Sequence, residues 1–418
     1  MFKEFKPLFK ESKFGYLWTS QLLSQLTVNM MNFLLLFRLF AITGSSIATS
    51  LLWVFYALPA IFFGPVGSAA ADILSRKSVL RASILGQATT IFFYAFLHQS
   101  KLFLLYGVVL SYSFFNQFYV PAEASALPSL VPKKYLPQAN SLFFLTQQTA
   151  LVIGFSLSGV FRNLIGFNNT LFLCSALLLL AFVALAFLPK LEAEDAIPTN
   201  FESAVGAFFG SIVEGYTYIR GKKQILVPFL LLGGSQVFLA ILLVNVPIFV
   251  KEILNVNVLS VGIEVIFPTV MGALLGAVFS TKLLREGWSK KRLVENCLIG
   301  LSFSLYVLVF FVPELRSLFR PVLGVLMLSI AGASYVGLIV STQTYLQEVT
   351  PEDLRGRVFG NFWFMVTIAS IFPVIFSGTI TELFGIKMLL LIMAGVTFGV
   401  LLYSKKIDAD FLKEVKHE

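Results

Sequence analysis

The sequence predicts an all-α membrane protein: twelve transmembrane helices in two six-helix pseudo-repeats, with both termini in the cytoplasm. Three observations carry that expectation. Of the 418 residues, 57% are hydrophobic and 13% charged, where a soluble domain has about half its residues apolar and about a quarter charged. Apolar runs of roughly twenty residues recur along the chain, each long enough at about 1.5 Å per residue to cross a hydrocarbon core of about 30 Å. The basic residues crowd into alternate hinges.

In the first half the runs cover 16–40, 48–71, 78–98, 102–122, 138–162 and 168–188. They are closed in turn by Gly44-Ser45, by Asp72 with Arg76-Lys77, by the stretch ending at Lys101, by Lys133-Lys134, by Arg162, and by Pro189-Lys190. In the second half they cover 225–250, 257–283, 293–312, 319–345, 358–381 and 386–403, closed by Lys251-Glu252, Arg285-Glu286, Pro313-Glu314, Gln347-Glu348, Glu382 and Lys405-Lys406. The expected organisation is an N-terminal six-helix bundle over 1–188, a cytoplasmic linker over 189–224, and a C-terminal six-helix bundle with a short cytoplasmic tail over 225–418.

Of the 31 Lys and Arg residues, 24 fall on the side of the termini. Six (Lys101, Arg162, Lys251, Arg316, Arg320, Lys387) fall opposite, and Arg38 stands near the end of span one. The positive-inside rule places the termini in the cytoplasm and accounts for the net charge of +9 without a nucleic-acid partner. No cleavable leader is read at the N-terminus, because a full-length span follows it. Cys174 and Cys297 lie inside apolar runs and read as small hydrophobes.

The linker carries an acidic patch (Glu192, Glu194, Asp195), then apolar residues at spacings of three and four through Phe201, Val205, Phe208, Phe209, Ile212 and Tyr216. That pattern predicts an amphipathic helix along the inner surface, the alternative being a flexible linker. The halves also repeat weakly: Arg76-Lys77 answers to Lys290-Lys291-Arg292, and Val131-Pro132 with Leu136 to Thr350-Pro351 with Leu354.

Polar residues inside the spans mark candidate function. On span one, Gln21, Gln25, Asn29 and Asn32 form one stripe, which must face a cavity or a neighbouring helix because amides are costly against lipid. On span four, Tyr112, Asn116, Tyr119 and Glu123 share a face interrupted by Pro121. Glu123 is a proton carrier or an interfacial carboxylate paired with Lys133 or Lys134. Glu264 in span eight is a proton carrier, a ligand for a cationic substrate or the partner of Arg38, and Glu382 completes the acids that could couple transport to protons. Of Gln147 and Gln148 in span five, and of Gln236 and Asn245 in span seven, only one each can face a cavity. Gly154-x-x-x-Ser158 and Gly272-x-x-x-Gly276 read as close packing seams between the halves.

Asp72, at the end of span two, either accepts hydrogen bonds from a neighbouring helix start or from Arg76 and so gates the inner side, or is a solvated charge. Asp72, Arg76 and Lys77 match the signature Gly-x-x-x-Asp, basic, x, Gly, Arg, Arg/Lys of the major facilitator superfamily, which the chain resembles over its whole length. Ser68, Ile73 and Ser75 depart from that signature. The stretches Pro121–Leu142 and Gln347–Val358, the latter containing Arg355 and Arg357, are similar to the macrolide-efflux and enterobactin-exporter branch.

The resemblance implies a bacterial inner-membrane exporter that uses the proton gradient as an antiporter. Its cargo is expected to be a small amphipathic or hydrophobic molecule, such as a drug, a macrolide or a siderophore-like compound. The alternatives are a lysophospholipid or lipid transporter and a non-transporting scaffold or receptor with the same fold. Gating falls to Asp72, Arg76, Lys77, Arg355 and Arg357, and the cavity to Gln21, Gln25, Asn29, Asn32, Arg38, Tyr112, Asn116, Tyr119 and Gln147. Enzyme chemistry finds no footing: the two histidines, His98 and His417, cannot form a triad or metal cluster, and no phosphate-binding Gly-x-x-x-x-Gly-Lys loop occurs. No cofactor and no metal are expected. The partners are the substrate, protons and the lipid bilayer, and the protein is expected to act as a monomer.

Overall fold

The structure, a computed structural model, describes residues 8–97, 101, 103–191, 201–256, 261–315, 319–350 and 352–406. Regular structure among them is helical: α1 (Ser12–Thr43), α2 (Ser46–Ile73), α3 (Arg76–Leu97), α4 (Phe103–Leu130), α5 (Leu136–Ala186), α6 (Phe201–Gly221), α7 (Lys223–Phe249), α8 (Phe267–Arg285), α9 (Lys290–Phe310), α10 (Phe319–Val349) and α11 (Glu352–Lys406). Among the described residues ten of these, all but α6, are long and apolar enough to cross a membrane. Large apolar side chains such as Phe62, Phe372 and Val278 are exposed on them, as the hydrocarbon of a bilayer requires.

Spans five and six share the continuous helix α5, and spans eleven and twelve share α11. Each is broken at one glycine, Gly166 (φ 83, ψ 170) and Gly385 (φ 82, ψ 161). This backbone region is essentially closed to residues with a Cβ. The two glycines lie 219 positions apart, the same interval that separates Pro132 from Pro351. Span four runs on past its expected end at 122 to Leu130, through Pro121 and Pro128, so Glu123 lies within the helix. Span eight becomes regular only at Phe267, because Gly262–Ile266 forms a π-helical turn.

The chain divides into two compact units, Met1–Leu39 with Val54–Gly210, and Phe40–Trp53 with Ser211–Glu418. In the first, α2 crosses α4 so closely at Gly67 that a Cβ there would collide with the Gln117 carbonyl oxygen. Pro121 lies four residues on and has no N–H to donate to that carbonyl, which is therefore left free to meet the bare glycine. In the second, α8 and α10 make the equivalent crossing, with Gly272 against Ser329, Gly276 against Ala333 and Gly332 against Thr269.

The seams expected between the halves are thus inside them. Gly272 and Gly276 pack on α10 of their own unit, and Gly154 on Asn29 and Leu26 of α1 in its own. Small residues serve wherever two backbones must touch, and these glycines stand at such crossings. In the second unit, apolar side chains from α6, α7, α10 and α11 (Ile219, Phe229, Leu346, Phe362) form one core cluster. Leu293, Cys297, Leu338, Tyr345 and Leu401 form another. The linker helix α6 buries Ile219 but leaves Phe209, Val213 and Tyr216 exposed.

Candidate functional site

The polar groups of the first unit gather where α1 meets α4 and α5. Tyr119 and Glu123, one turn apart on α4, face inward, and the Tyr119 hydroxyl donates to Glu123 Oε1 at 2.9 Å. Ser20 of α1 stands 3.0 Å from the same hydroxyl. Since the tyrosine proton is committed to the carboxyl, the serine is the donor, and a chain Ser20 to Tyr119 to Glu123 joins the two helices. All three residues are buried.

Around this chain Gln21 Nε2 donates to the Phe143 carbonyl at 3.2 Å and Trp18 Nε1 to Thr146 Oγ1 at 2.9 Å. Asn29 Nδ2 turns back to the Gln25 carbonyl at 2.7 Å. The Tyr112 hydroxyl, near Ser24, has no hydrogen bond of acceptable geometry, and neither has Gln21 Oε1. Both are buried acceptors that a water or a substrate donor would satisfy. Gln25, Asn32, Arg38 and Asn116 are half-buried and Gln147 is exposed. The span-one stripe is therefore split, with Gln21 and Asn29 buried in interhelical packing and Gln25 and Asn32 remaining partly accessible.

Glu123 makes no ion pair among the described residues. Lys134 lies over the ring of its neighbour Tyr135 at 4.8 Å, and the side chain of Lys133 falls outside the described residues. Arg38 lies on α1 in the first unit. Its guanidinium sits over the Phe167 ring at 5.2 Å, a cation–π contact inside the first unit. Glu264 occupies the π-helical turn Gly262–Ile266 and is half-buried. Such turns widen a helix locally and recur at functional positions.

In the second unit Asn245 is buried and donates to Ser377 Oγ at 3.0 Å, while Gln236 is half-buried. Glu382 is exposed and accepts from Ser45 Oγ at 2.7 Å and from the Ile47 amide at 3.1 Å. These two contacts, the hydroxyl first, hold its carboxyl below the usual carboxylate range.

Among the residues read as gates, Arg76 and Lys77 bind within the first unit. Lys77 Nζ donates to the carbonyls of Ala186 (2.8 Å) and Leu188, at the C-terminal end of α5. Arg76 donates its amide to the Leu191 carbonyl at 3.0 Å and a guanidinium N–H to Ser129 Oγ at 3.0 Å. A cation at a helix C-terminus meets the negative end of the helix dipole. The side chains of Asp72, Arg355 and Arg357, and the acidic patch Glu192–Asp195, lie outside the described residues.

A row of hydroxyls escaped the sequence reading. Ser20, Ser24 and Thr27 fall within about 60° of one another at 100° per residue, and all are buried on α1. That periodicity was a usable signal. Ser45 carried none, since its partner Glu382 is 337 residues away.

The family model described as Major Facilitator Superfamily matches residues 17–374. The chain belongs to the major facilitator superfamily. Among superfamily relatives, the MFS-type transporter YfiS of Bacillus subtilis (strain 168) is 27% identical over 96% of this chain and 95% of its own length. Macrolide efflux protein A of Streptococcus pyogenes is 22% identical over 90% of this chain and 91% of its own, in keeping with the branch resemblance of Pro121–Leu142 and Gln347–Val358. Two solved superfamily-like structures share the fold. The nucleoside transporter NupG has a TM-score of 0.69 at 17% identity, covering 93% of this chain and 98% of that one. A bacterial homologue of the human lysosomal transporter Spinster has a TM-score of 0.67 at 13% identity, covering 94% and 98%.

Proposed function

We propose that this protein is a secondary active exporter of the plasma membrane that moves a small amphipathic or hydrophobic molecule outward by alternating access, in exchange for protons. The two glycine-broken helices count as two crossings each, which gives twelve crossings in two six-helix halves with both termini and the linker in the cytoplasm. The observation that carries the reading is the chain Ser20–Tyr119–Glu123: a buried acid that accepts a hydrogen bond from a tyrosine hydroxyl. An acid inside a membrane span is a functional site by default, and one with no cationic partner among the described residues can gain or lose a proton without breaking an ion pair to them. Gln25, Asn32, Asn116 and Gln147 offer accessible polar contacts for cargo, and the similarity to macrolide efflux protein A favours outward movement of an amphipathic compound.

The test uses the full protein in liposomes with an acidic lumen, an entrapped pH-sensitive dye, and erythromycin and Hoechst 33342 as probes. Adding a transported probe should move protons in the parent. Glu123→Gln should abolish that movement while leaving the protein folded, whereas Glu264→Gln tests the second acid separately. Proton-coupled transport that persists undiminished in Glu123→Gln removes Glu123 from the mechanism, and transport indifferent to the pH gradient removes the antiport.

A further inference from the structure

The helix α2 belongs to two units at once. Its first eight residues, with the turn before them, cluster with the second unit as Phe40–Trp53, and the rest, from Val54, with the first. What holds the short segment to the second unit is unusual in composition. At its start, Glu382 of α11 reaches Ser45 Oγ and the Ile47 amide, while Ser45 also caps its own helix, accepting from the Ala48 amide at 3.2 Å. One turn back along α11, a Cβ on Gly378 would collide with Ser50 Oγ and lie 2.7 Å from the Ser46 carbonyl oxygen. At the far end Trp53 Nε1 donates to Ser370 Oγ at 3.2 Å. An apolar contact accompanies these bonds: Trp53 lies against Ala240, Val244 and Val374.

We infer that Glu382 is a conformational latch, a positioning residue whose carboxylate grips the N-terminus of α2 and keeps the α1–α2 turn on α11 until the transport cycle releases it. The chemistry suits a contact that must open. A carboxylate at a helix start meets exposed amides and the positive end of the helix dipole, so the grip is directional. It is also exposed, so water replaces it on opening at little cost, whereas a buried ion pair would not separate cheaply. The seam of Gly378, Ser46 and Ser50 brings the backbones together through small and polar groups, and the charged cap is the element at its end that water can replace. Pro59, six residues beyond Trp53, cannot donate to the Phe55 carbonyl and supplies a bend within α2.

The inference rests on the alternating-access reading, so its test reads conformation and not transport. Spin labels on Ile42→Cys and Phe384→Cys, both exposed positions, report the distance across the latch by pulsed electron resonance in lipid nanodiscs. With Glu382 intact the short distance should dominate or hold a resolved share. Glu382→Ala should move the ratio of short to long populations toward the long by about threefold to thirtyfold, the range for losing a helix cap. Glu382→Gln, which keeps an acceptor oxygen but no charge, should move it less, and it serves as the reporter if the alanine protein does not accumulate. The melting temperature is taken alongside, because a merely structural cap would lower it without redistributing the distances. An unchanged distribution in both variants overturns the latch. A shifted distribution in a protein that moves no protons with erythromycin or Hoechst 33342 leaves the latch standing and counts against the export reading alone.

Discussion

Replacing Gly154 by alanine separates two effects of glycine that act with opposite sign. An added Cβ would stand 2.8 Å from Asn29 Cβ, 3.0 Å from the Leu26 carbonyl oxygen and 3.2 Å from the Met30 amide nitrogen. Carbon atoms in contact prefer about 3.5–4.0 Å, so α1 and α5 must part by about 1 Å along a crossing that is backbone on one side. Overpacking of that kind costs about 1–3 kcal/mol, offset by about 0.5–1 kcal/mol for removing a glycine from a helix interior. A net loss of about 1–2 kcal/mol corresponds to a fall of about 2–8 °C, taking about 2–4 °C per kcal/mol for a unit of roughly 200 residues. Gly399→Ala is the control: it has nothing within 4 Å and should gain the propensity term alone, a rise of about 1–4 °C. Cys174 and Cys297 are buried free thiols, so a thiol-reactive fluorogenic dye reports unfolding without further engineering. A Gly154→Ala protein that melts at or above the parent refutes the packing argument.

Gly166→Ala and Gly385→Ala should each cost about 1–3 kcal/mol, because φ near 80° with ψ near 160–170° suits glycine alone; melting by the same dye checks this, and equal stability to the parent would contradict it. Acidification should open the Glu382 contact. Its carboxyl is depressed when latched, so the latch is fully present above the ordinary value of 4.5 and is lost as pH falls through the lower, latched value. Residues 42–49 carry no charge, and of the charges in the same unit expected on this side, Lys387 and Glu314 pair with each other at 3.9 Å while Arg320 donates to the Ile253 and Glu252 carbonyls. The spin-label distance measured through that range should lengthen in the parent and stay constant in Glu382→Ala.

Hydropathy alone located the long apolar helices, because a lipid-facing helix must be apolar for its whole length. The match of Val131-Pro132 to Thr350-Pro351 made the repeat visible in the sequence, and the breaks at Gly166 and Gly385 repeat at the same interval in the structure. What periodicity could not supply was the partner of each polar group. Gln21 and Gln25 fall on one stripe, yet Gln21 meets the Phe143 carbonyl 122 positions away and Gln25 stays accessible. The motif suggests a gating role for Arg76 and Lys77; within the first unit Lys77 holds the end of α5, and Arg76 meets Ser129 of α4 and the Leu191 carbonyl. Gly67 shows the reverse case. The signature glycine is displaced by one position from Ser68, and the reason lies in the α4 crossing, where a free carbonyl made by Pro121 leaves room for no side chain. Seams were recognisable from small residues at spacing four, but which helix lies across a seam is a property of the tertiary structure.

The matched intervals between proline and glycine act as a ruler. In both halves 34 positions separate the hinge proline from the broken glycine, Pro132 to Gly166 and Pro351 to Gly385, about 50 Å of helix if wound continuously. Along such a segment length and direction are the same variable: deleting one residue shortens it by about 1.5 Å but swings everything beyond by about 100°. The glycine break would then launch the following crossing toward the wrong neighbour. Substitutions in these segments are therefore graded perturbations, whereas a single insertion or deletion is a steering error for a whole span.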